Sequence, residues 1–258
     1  MDFGICNLSM VALRKEPSDK AEMINQLLFG ELLVVIGFYK QWAKVRLVYD
    51  NYEGWIDQKQ FRPLSESAFT LLNNSPSLIT IDLVQLVANL SENSFIPLVM
   101  GSSLPEMVNH AFYIDNEQFS YEGLAVMPCS DSYKDIVKNA MLYLHSPYLW
   151  GGRSPFGIDC SGFTQMVYKL SGINLLRDAS QQATQGEAVS FISEANPGDL
   201  AFFDNDEEQI IHVGIILKNN RIIHASGKVR IDTIDHQGIF DNTSRKYTHK
   251  LRLIKKII

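Results

Sequence analysis

The chain has 258 residues, 46% of them hydrophobic, and its 23 basic against 29 acidic side chains leave a net charge of −6. That length suits two or three small domains with real cores. An acidic chain without a Lys/Arg cluster argues against nucleic acid or an anionic membrane as partner and suits a small ligand carrying an amine.

The N-terminus, MDFGICNLSM, has neither a basic nor an apolar leader segment, and no run nears the ~18 apolar residues of a membrane span. The expectation is a cytoplasmic protein, or a periplasmic one trimmed of a leader. Cys6, Cys129 and Cys160 are odd in number and dispersed, which argues against a disulfide framework or a structural zinc site and fits a reducing compartment.

Residues 11–62 read as short strands. Leu32–Ile36 is an apolar run, Ala43, Val45 and Leu47 alternate on one face, and DNYEGWID (50–57) turns into a further strand. This spacing predicts a small barrel over 1–62. Residues 63–128, with two alternating segments around Asp115-Asn116, predict a second small barrel, although 76–90 also suits a helix.

From Ser130 the pattern changes. Ser130 or Asp131 caps a helix with Tyr133, Ile136, Val137, Ala140 and Leu144 in one stripe, stopped by Pro147. A second helix runs from Cys160 to about Ser171, with Phe163, Met166, Val167 and Leu170 on its buried face and Gly172 after its end. Leu200–Phe203, IIHVGIIL (210–217) and RIIHAS (221–226) are strands, the last two a hairpin over Lys218-Asn219-Asn220. Helices followed by an antiparallel sheet make 129–258 an α+β domain.

Cys160 sits at the first turn of its helix, where free N–H groups and the positive dipole end stabilise a thiolate. The competing reading is a small buried core cysteine. Two histidines in apolar strands, His212 and His224, point to a Cys-His pair with a third group orienting the imidazole. A regular two-residue turn at Asn219-Asn220 would put the two histidines on opposite faces, so the triad demands a three-residue loop or a bulge. One Cys and two His also suit a catalytic zinc, but no further ligand cluster supports it. Asp159 raises the pKa of a neighbouring thiol, so it needs another purpose: capping the helix, or meeting a cation on the substrate.

The motifs PYLWGG, IDCSGF, RDASQQ, PGDLAFF, HVGI and IHAS, in this order over about 147–226, resemble the NlpC family of papain-like bacterial cell-wall cysteine peptidases. The resemblance implies Cys160 as nucleophile, His212 as base, His224 as the orienting residue and Tyr148 beside the oxyanion. The segment LRKEPSDKAEMINQLLFGELLVVI, with WAKVR and YEGWI, resembles a bacterial SH3-like domain. With a second such domain at 63–128 and the peptidase domain at 129–258, the chain is similar to γ-D-glutamyl-L-diamino acid endopeptidases that trim free muropeptides.

That likeness implies a pocket for the free α-amine of the substrate, with Glu22, Tyr52 and Asp178 as amine partners and Asp159, Ser161 and Ser180 lining it. The expected fold is α+β, papain-like, behind two SH3-like β-barrels. The expected protein is a monomeric hydrolase that needs no cofactor or metal and acts on a small muropeptide. The alternatives are an amidase or acyltransferase on the same fold, and a non-catalytic wall-binding protein.

Overall fold

The alternating apolar residues near the N-terminus fold as strands, because period-two patterning buries one face of an antiparallel ladder. In the computed structural model, which describes residues 2–128 and 135–257, the chain forms two compact units, Met1–Pro128 and Cys129–Ile258. The first opens with β1 (Asp2–Ile5), β2 (Met10–Arg14), β3 (Met23–Leu28), β4 (Leu32–Tyr39), β5 (Trp42–Leu47), β6 (Glu53–Asp57) and β7 (Arg62–Leu64). They form one sheet in the order β3-β2-β6-β5-β4-β1-β7. Val11, Leu13, Leu33, Val35, Ala43, Val45, Leu47 and Ile56 fill its core. The boundary expected at 62/63 falls inside β7, whose Pro63 pairs with Gly4 of β1.

The following stretch departs from the expected second barrel. Helix α1 (Glu66–Asn74), capped by the Ser65 side chain, precedes the region where a helix was an option. Then come β8 (Ser77–Thr80), β9 (Val84–Asn89), β10 (Ser94–Val99), β11 (Ser103–Pro105), β12 (Ala111–Ile114), β13 (Glu117–Tyr121) and β14 (Ala125–Val126). They make two sheets, β10-β9-β13-β12 and β11-β8-β14, over a common core that includes Val87, Leu98, Leu104, Phe112 and Phe119. β11 and β14 have three and two residues, too few to carry one ladder round a ring. The hairpin around Asp115-Asn116 is as read: Ile114 pairs with Glu117, and Asp115 takes a φ of 54°.

The second unit contains α2 (Ile136–Met141), β15 (Arg153–Ser154), β16 (Gly157–Ile158), α3 (Cys160–Leu170), α4 (Ala179–Gln182) and β17 (Glu187–Val189). It continues with β18 (Leu200–Asp204), β19 (Ile210–Leu217), β20 (Arg221–Ser226), β21 (Lys228–Ile234), β22 (Gly238–Asp241) and β23 (Lys246–Lys256). The expected cap at Ser130 or Asp131, and Tyr133, lie outside the described residues. The helix ends at Met141, short of Leu144 and Pro147, and His145 takes a φ of 73°.

The sheet runs β17-β23-β18-β19-β20-β21-β22, and β22 also pairs with β23, so six strands close into a ring. Ala201, Phe203, Ile216, Ile222, Ile234, Ile239 and Ile254 cluster together within it. Strand alternation puts His212 on the face of Ile216, His224 on that of Ile222, and Asp232 on that of Ile234. The polar layer thus continues the same packed face.

Candidate active site

Cys160 is the first residue of α3, a helix buried along its whole length, so the thiol enters the site from a rigid element. The helix start is crowded by design. A β-carbon on Gly162 would lie 2.3 Å from the Gly152 carbonyl oxygen, so glycine at the end of IDCSG lets the helix meet that loop. The PYLWGG segment ties the parts together. Tyr148 N–H donates to Gly227 O at 3.0 Å, just beyond β20, while Leu149 N–H donates to Ile158 O at 3.2 Å, just before the nucleophile.

The histidines satisfy the register that the triad demanded. Leu217 pairs with Arg221 and Gly214 with His224, so the loop is the three residues Lys218-Asn219-Asn220, with φ of 60° and 54° at the two asparagines. His212 and His224 therefore share one face. His212 Nε2 lies 2.8 Å from His224 Nδ1, and His224 Nε2 lies 2.9 Å from Asp232 Oδ2. Both histidines and the acid are buried.

The protons along this relay follow from the acid. Although burial works against it, hydrogen bonds from His224 and Arg230 hold the Asp232 carboxyl below its usual range. An ionised carboxylate only accepts, so His224 Nε2 carries a hydrogen. With Nε2 of His224 as donor, its Nδ1 serves as acceptor to His212 Nε2–H, and His212 Nδ1 is left with its lone pair free.

Burial, with the neighbouring His224 and His249, drives the His212 pKa well down, so the ring rests neutral. Burial and then the Asp159 charge push the Cys160 thiol up to about 12, against the backbone N–H groups of Val213 and Ser161 and the Arg177 cation. The helix-top thiol is thus held protonated, because burial and the Asp159 charge outweigh the stabilisation offered by the helix N-terminus. Its contact with Val213 N–H places it beside the residue that follows His212.

Asp159 serves the first of its two expected purposes. Its side chain does cap α3, accepting from Gly162 N–H at 2.6 Å, and it also accepts from Gly151 N–H at 2.8 Å. Its remaining capacity goes to the buried Arg177, whose Nη2 lies 2.5 Å from Oδ2 and Nη1 3.0 Å from Oδ1. A cation opposite Asp159 is therefore supplied by the protein itself. Ser161, expected to line the pocket, accepts from Arg177 Nη1 at 2.9 Å in the same network. Gln182 of α4 donates to Ser161 O at 2.9 Å and locks α4 onto α3.

Asp178 is half-buried at the start of α4 and Ser180 is exposed on that helix. Burial, then the Cys160 and Asp159 charges, push the Tyr148 hydroxyl up to about 12, so it remains a donor beside the thiol. Glu22 and Tyr52 belong to the first unit, Glu22 at 3.2 Å from Lys15 and Tyr52 packed against that unit's core. Sequence reasoning missed Arg177, although it lies in the quoted RDASQQ, and Asp232, which stands at an inward position of KVRIDTI.

A helix-borne cysteine packed against a sheet that carries a histidine relay defines a papain-like thiol hydrolase. Residues 145–248 match the model of the NlpC/P60 family, and residues 13–61 match that of the bacterial dipeptidyl-peptidase Sh3 domain. The chain is 29% identical over 216 residues to the gamma-D-glutamyl-L-lysine dipeptidyl-peptidase of Bacillus subtilis (strain 168), spanning 78% of this chain and 71% of that one. It is 26% identical over 253 residues to dipeptidyl-peptidase 6 of Lysinibacillus sphaericus, spanning 88% and 90% respectively. A crystal structure of an NlpC/P60 family protein from Bacillus cereus ATCC 10987 shares the fold, with a TM-score of 0.83 over 99% of each chain at 20% identity. The chain carries an NlpC/P60 domain at 145–248 and a bacterial SH3 domain ahead of it at 13–61, and is a cysteine peptidase.

Proposed function

We propose that this peptidase hydrolyses the γ-D-glutamyl–L-diamino acid bond of free muropeptides with an unblocked N-terminal L-Ala, releasing L-Ala-γ-D-Glu. The observation that carries the reading is the alignment, along 78% of the chain, with an enzyme whose name specifies that bond.

In this reading Cys160 attacks the γ-carbonyl while its proton moves to His212 Nδ1. His212 returns that proton to the leaving diamino-acid nitrogen as the C–N bond breaks, leaving a thioester on Cys160. Water then attacks the thioester, His212 takes its proton, and the thiol is restored as the dipeptide leaves. Tyr148 O–H and Cys160 N–H are the donors proposed for the oxyanion. His224 and Asp232 orient His212 and balance the charge of its imidazolium. Asp178 remains the residue of this unit proposed to meet the substrate amine, with Ser180 in the lining of its pocket. Trimming of recycled wall peptides in the cytoplasm, by a monomer without a cofactor, completes the proposal.

The test is digestion of L-Ala-γ-D-Glu-L-Lys and its diaminopimelate counterpart, with products identified by mass. Release of L-Ala-γ-D-Glu from either one supports the reading. Cleavage at another bond, or transfer of the acyl group to an added amine in place of water, overturns it.

A further inference from the structure

His249 was not singled out by any motif, and it falls one residue beyond the segment matched by the family. Its ring nevertheless stacks on that of His212, with centroids 4.2 Å apart and planes inclined by 27°. Three irregularities in the ladder bring the two rings together. Ile211 is the extra residue between the pairs Phe203↔His212 and Asp204↔Ile210. Thr248 is extra between Ile239↔His249 and Phe240↔Tyr247, and Arg252 between Phe202↔Leu253 and Phe203↔Leu251. Bulges of this kind re-aim side chains beside active sites. Three of them around one pair of rings hold His249 over His212.

From this geometry we propose that His249 is a positioning residue for His212: it clamps the ring plane of the base and shields that face from water. The hydrogen bond to His224 fixes one nitrogen of His212 but leaves the ring free to swing about its Cβ–Cγ bond, a broad and soft torsion. His249 closes one face, and Phe203, with its centroid 5.8 Å away, closes another side. His249 is itself held, since Thr248 Oγ1 lies 2.9 Å from its Nδ1. It also forms the wall of a cavity of about 510 Å³, lined further by Asp204, Asp206, Gln237, Tyr247 and Lys250, which would otherwise admit water to the imidazole.

Charge agrees with the geometry. Burial first, then the neighbouring His224, push the His249 pKa down to about 4, with Asp232 acting the other way. A neutral ring accepts the transient His212 imidazolium on its π-face, where a second cation would repel it.

The inference rests on His212 being the base, so its test uses readouts both with and without the peptide. His249→Ala, His249→Phe and the parent enzyme are compared in three measurements. These are turnover of L-Ala-γ-D-Glu-L-Lys, alkylation of Cys160 by iodoacetamide, and the downfield N–H proton resonance of the His212–His224 hydrogen bond. His249→Ala is expected to lower kcat about tenfold with KM within twofold, the range set by the loss of one aromatic pair. It should slow alkylation similarly and broaden the N–H resonance. His249→Phe keeps a stacked ring and should restore all three to within about threefold of the parent. A His249→Ala enzyme within twofold of the parent in both rates, or a Phe variant as damaged as the Ala variant, overturns the proposal. A parent that alkylates normally but leaves the tripeptide intact sinks the proposed substrate alone, and the alkylation and resonance comparisons still decide the role of His249. Should His249→Ala fail to fold, His249→Phe against His249→Leu carries the same comparison, with equal rates overturning the proposal.

Discussion

Gly214 stands directly across the β19–β20 ladder from His224, and a β-carbon on it would lie 2.8 Å from the His224 β-carbon. The same added atom would lie 2.8 Å from Ile222 Cδ1. Real side chains do not pack this closely, so the glycine in HVGI is what lets His224 sit beside His212. Gly214→Ala should push His224 out of the 2.8 Å contact with His212. The expected result is a fall of ~10²-fold in kcat/KM, the usual scale for an ångström of misplacement. Overpacking should also lower stability by ~1–3 kcal/mol. Steady-state kinetics within threefold of the parent would show that the glycine is not the spacer it looks to be.

The sequence made the relay legible as far as His224, because strand parity is strict and a Cys-His-His set imposed the three-residue loop on the hairpin. His249 was out of reach because the inward facing of β23 is set by bulges at Thr248 and Arg252 that no local propensity announces. Asp232 is different, since β21 pairs with β20 without a break and strand parity alone marks its inward position. Arg177 was hidden differently. A lone arginine in a motif reads as surface charge, and only the buried Asp159 beside it shows otherwise. Residues 66–126 resisted because their strands are short and split between two sheets, so the alternation that identified strands could not say how they pair.

The Asp159–Arg177 pair supplies a stability prediction. Both side chains are almost wholly buried and joined by two short contacts. Arg177→Ala leaves a buried carboxylate uncompensated, which costs ~3–5 kcal/mol in comparable pairs. Urea unfolding should show that loss. Arg177→Met combined with Asp159→Asn should recover a large part of it, because neither member of the pair then leaves a buried charge without its partner. A double variant as unstable as the single one would mean that packing, not charge, dominates at this site.

The raised thiol predicts how Cys160 reacts. With its pKa near 12, alkylation of the free enzyme by iodoacetamide should be slow at neutral pH and should quicken as pH rises. Asp159→Asn removes a charge that raises the thiol and leaves Arg177 to lower it, so alkylation at pH 8 should accelerate even as turnover falls. The stability sign is equally fixed. The thiol's ordinary value is 9.0, so between there and about 12 the folded state holds the proton that the unfolded chain releases. Stability therefore falls as pH rises through that window. Cys160→Ser should remove that share of the alkaline loss. Fast alkylation that is flat from pH 5 upward would instead reveal a thiolate already formed with His212.

The last prediction concerns the substrate amine. With Asp159 committed to Arg177, the acid we propose for a free α-amine is Asp178, half-buried at the head of α4. In polymerised wall the L-Ala nitrogen is an amide without charge, so a carboxylate desolvated against it would lack its cation. Leaving such a group unpaired discriminates by up to ~10⁴-fold. The N-acetylated tripeptide should accordingly be cut far more slowly than the free one. Asp178→Asn should narrow that gap, chiefly by raising KM for the free peptide. Asp159→Asn should instead lower stability and speed alkylation of the thiol while leaving the ratio between the two peptides nearly unchanged. That contrast separates the two neighbouring acids by role. If the acetylated peptide is cut within about tenfold of the free one, a difference of only ~1.4 kcal/mol, no amine pocket of this kind operates.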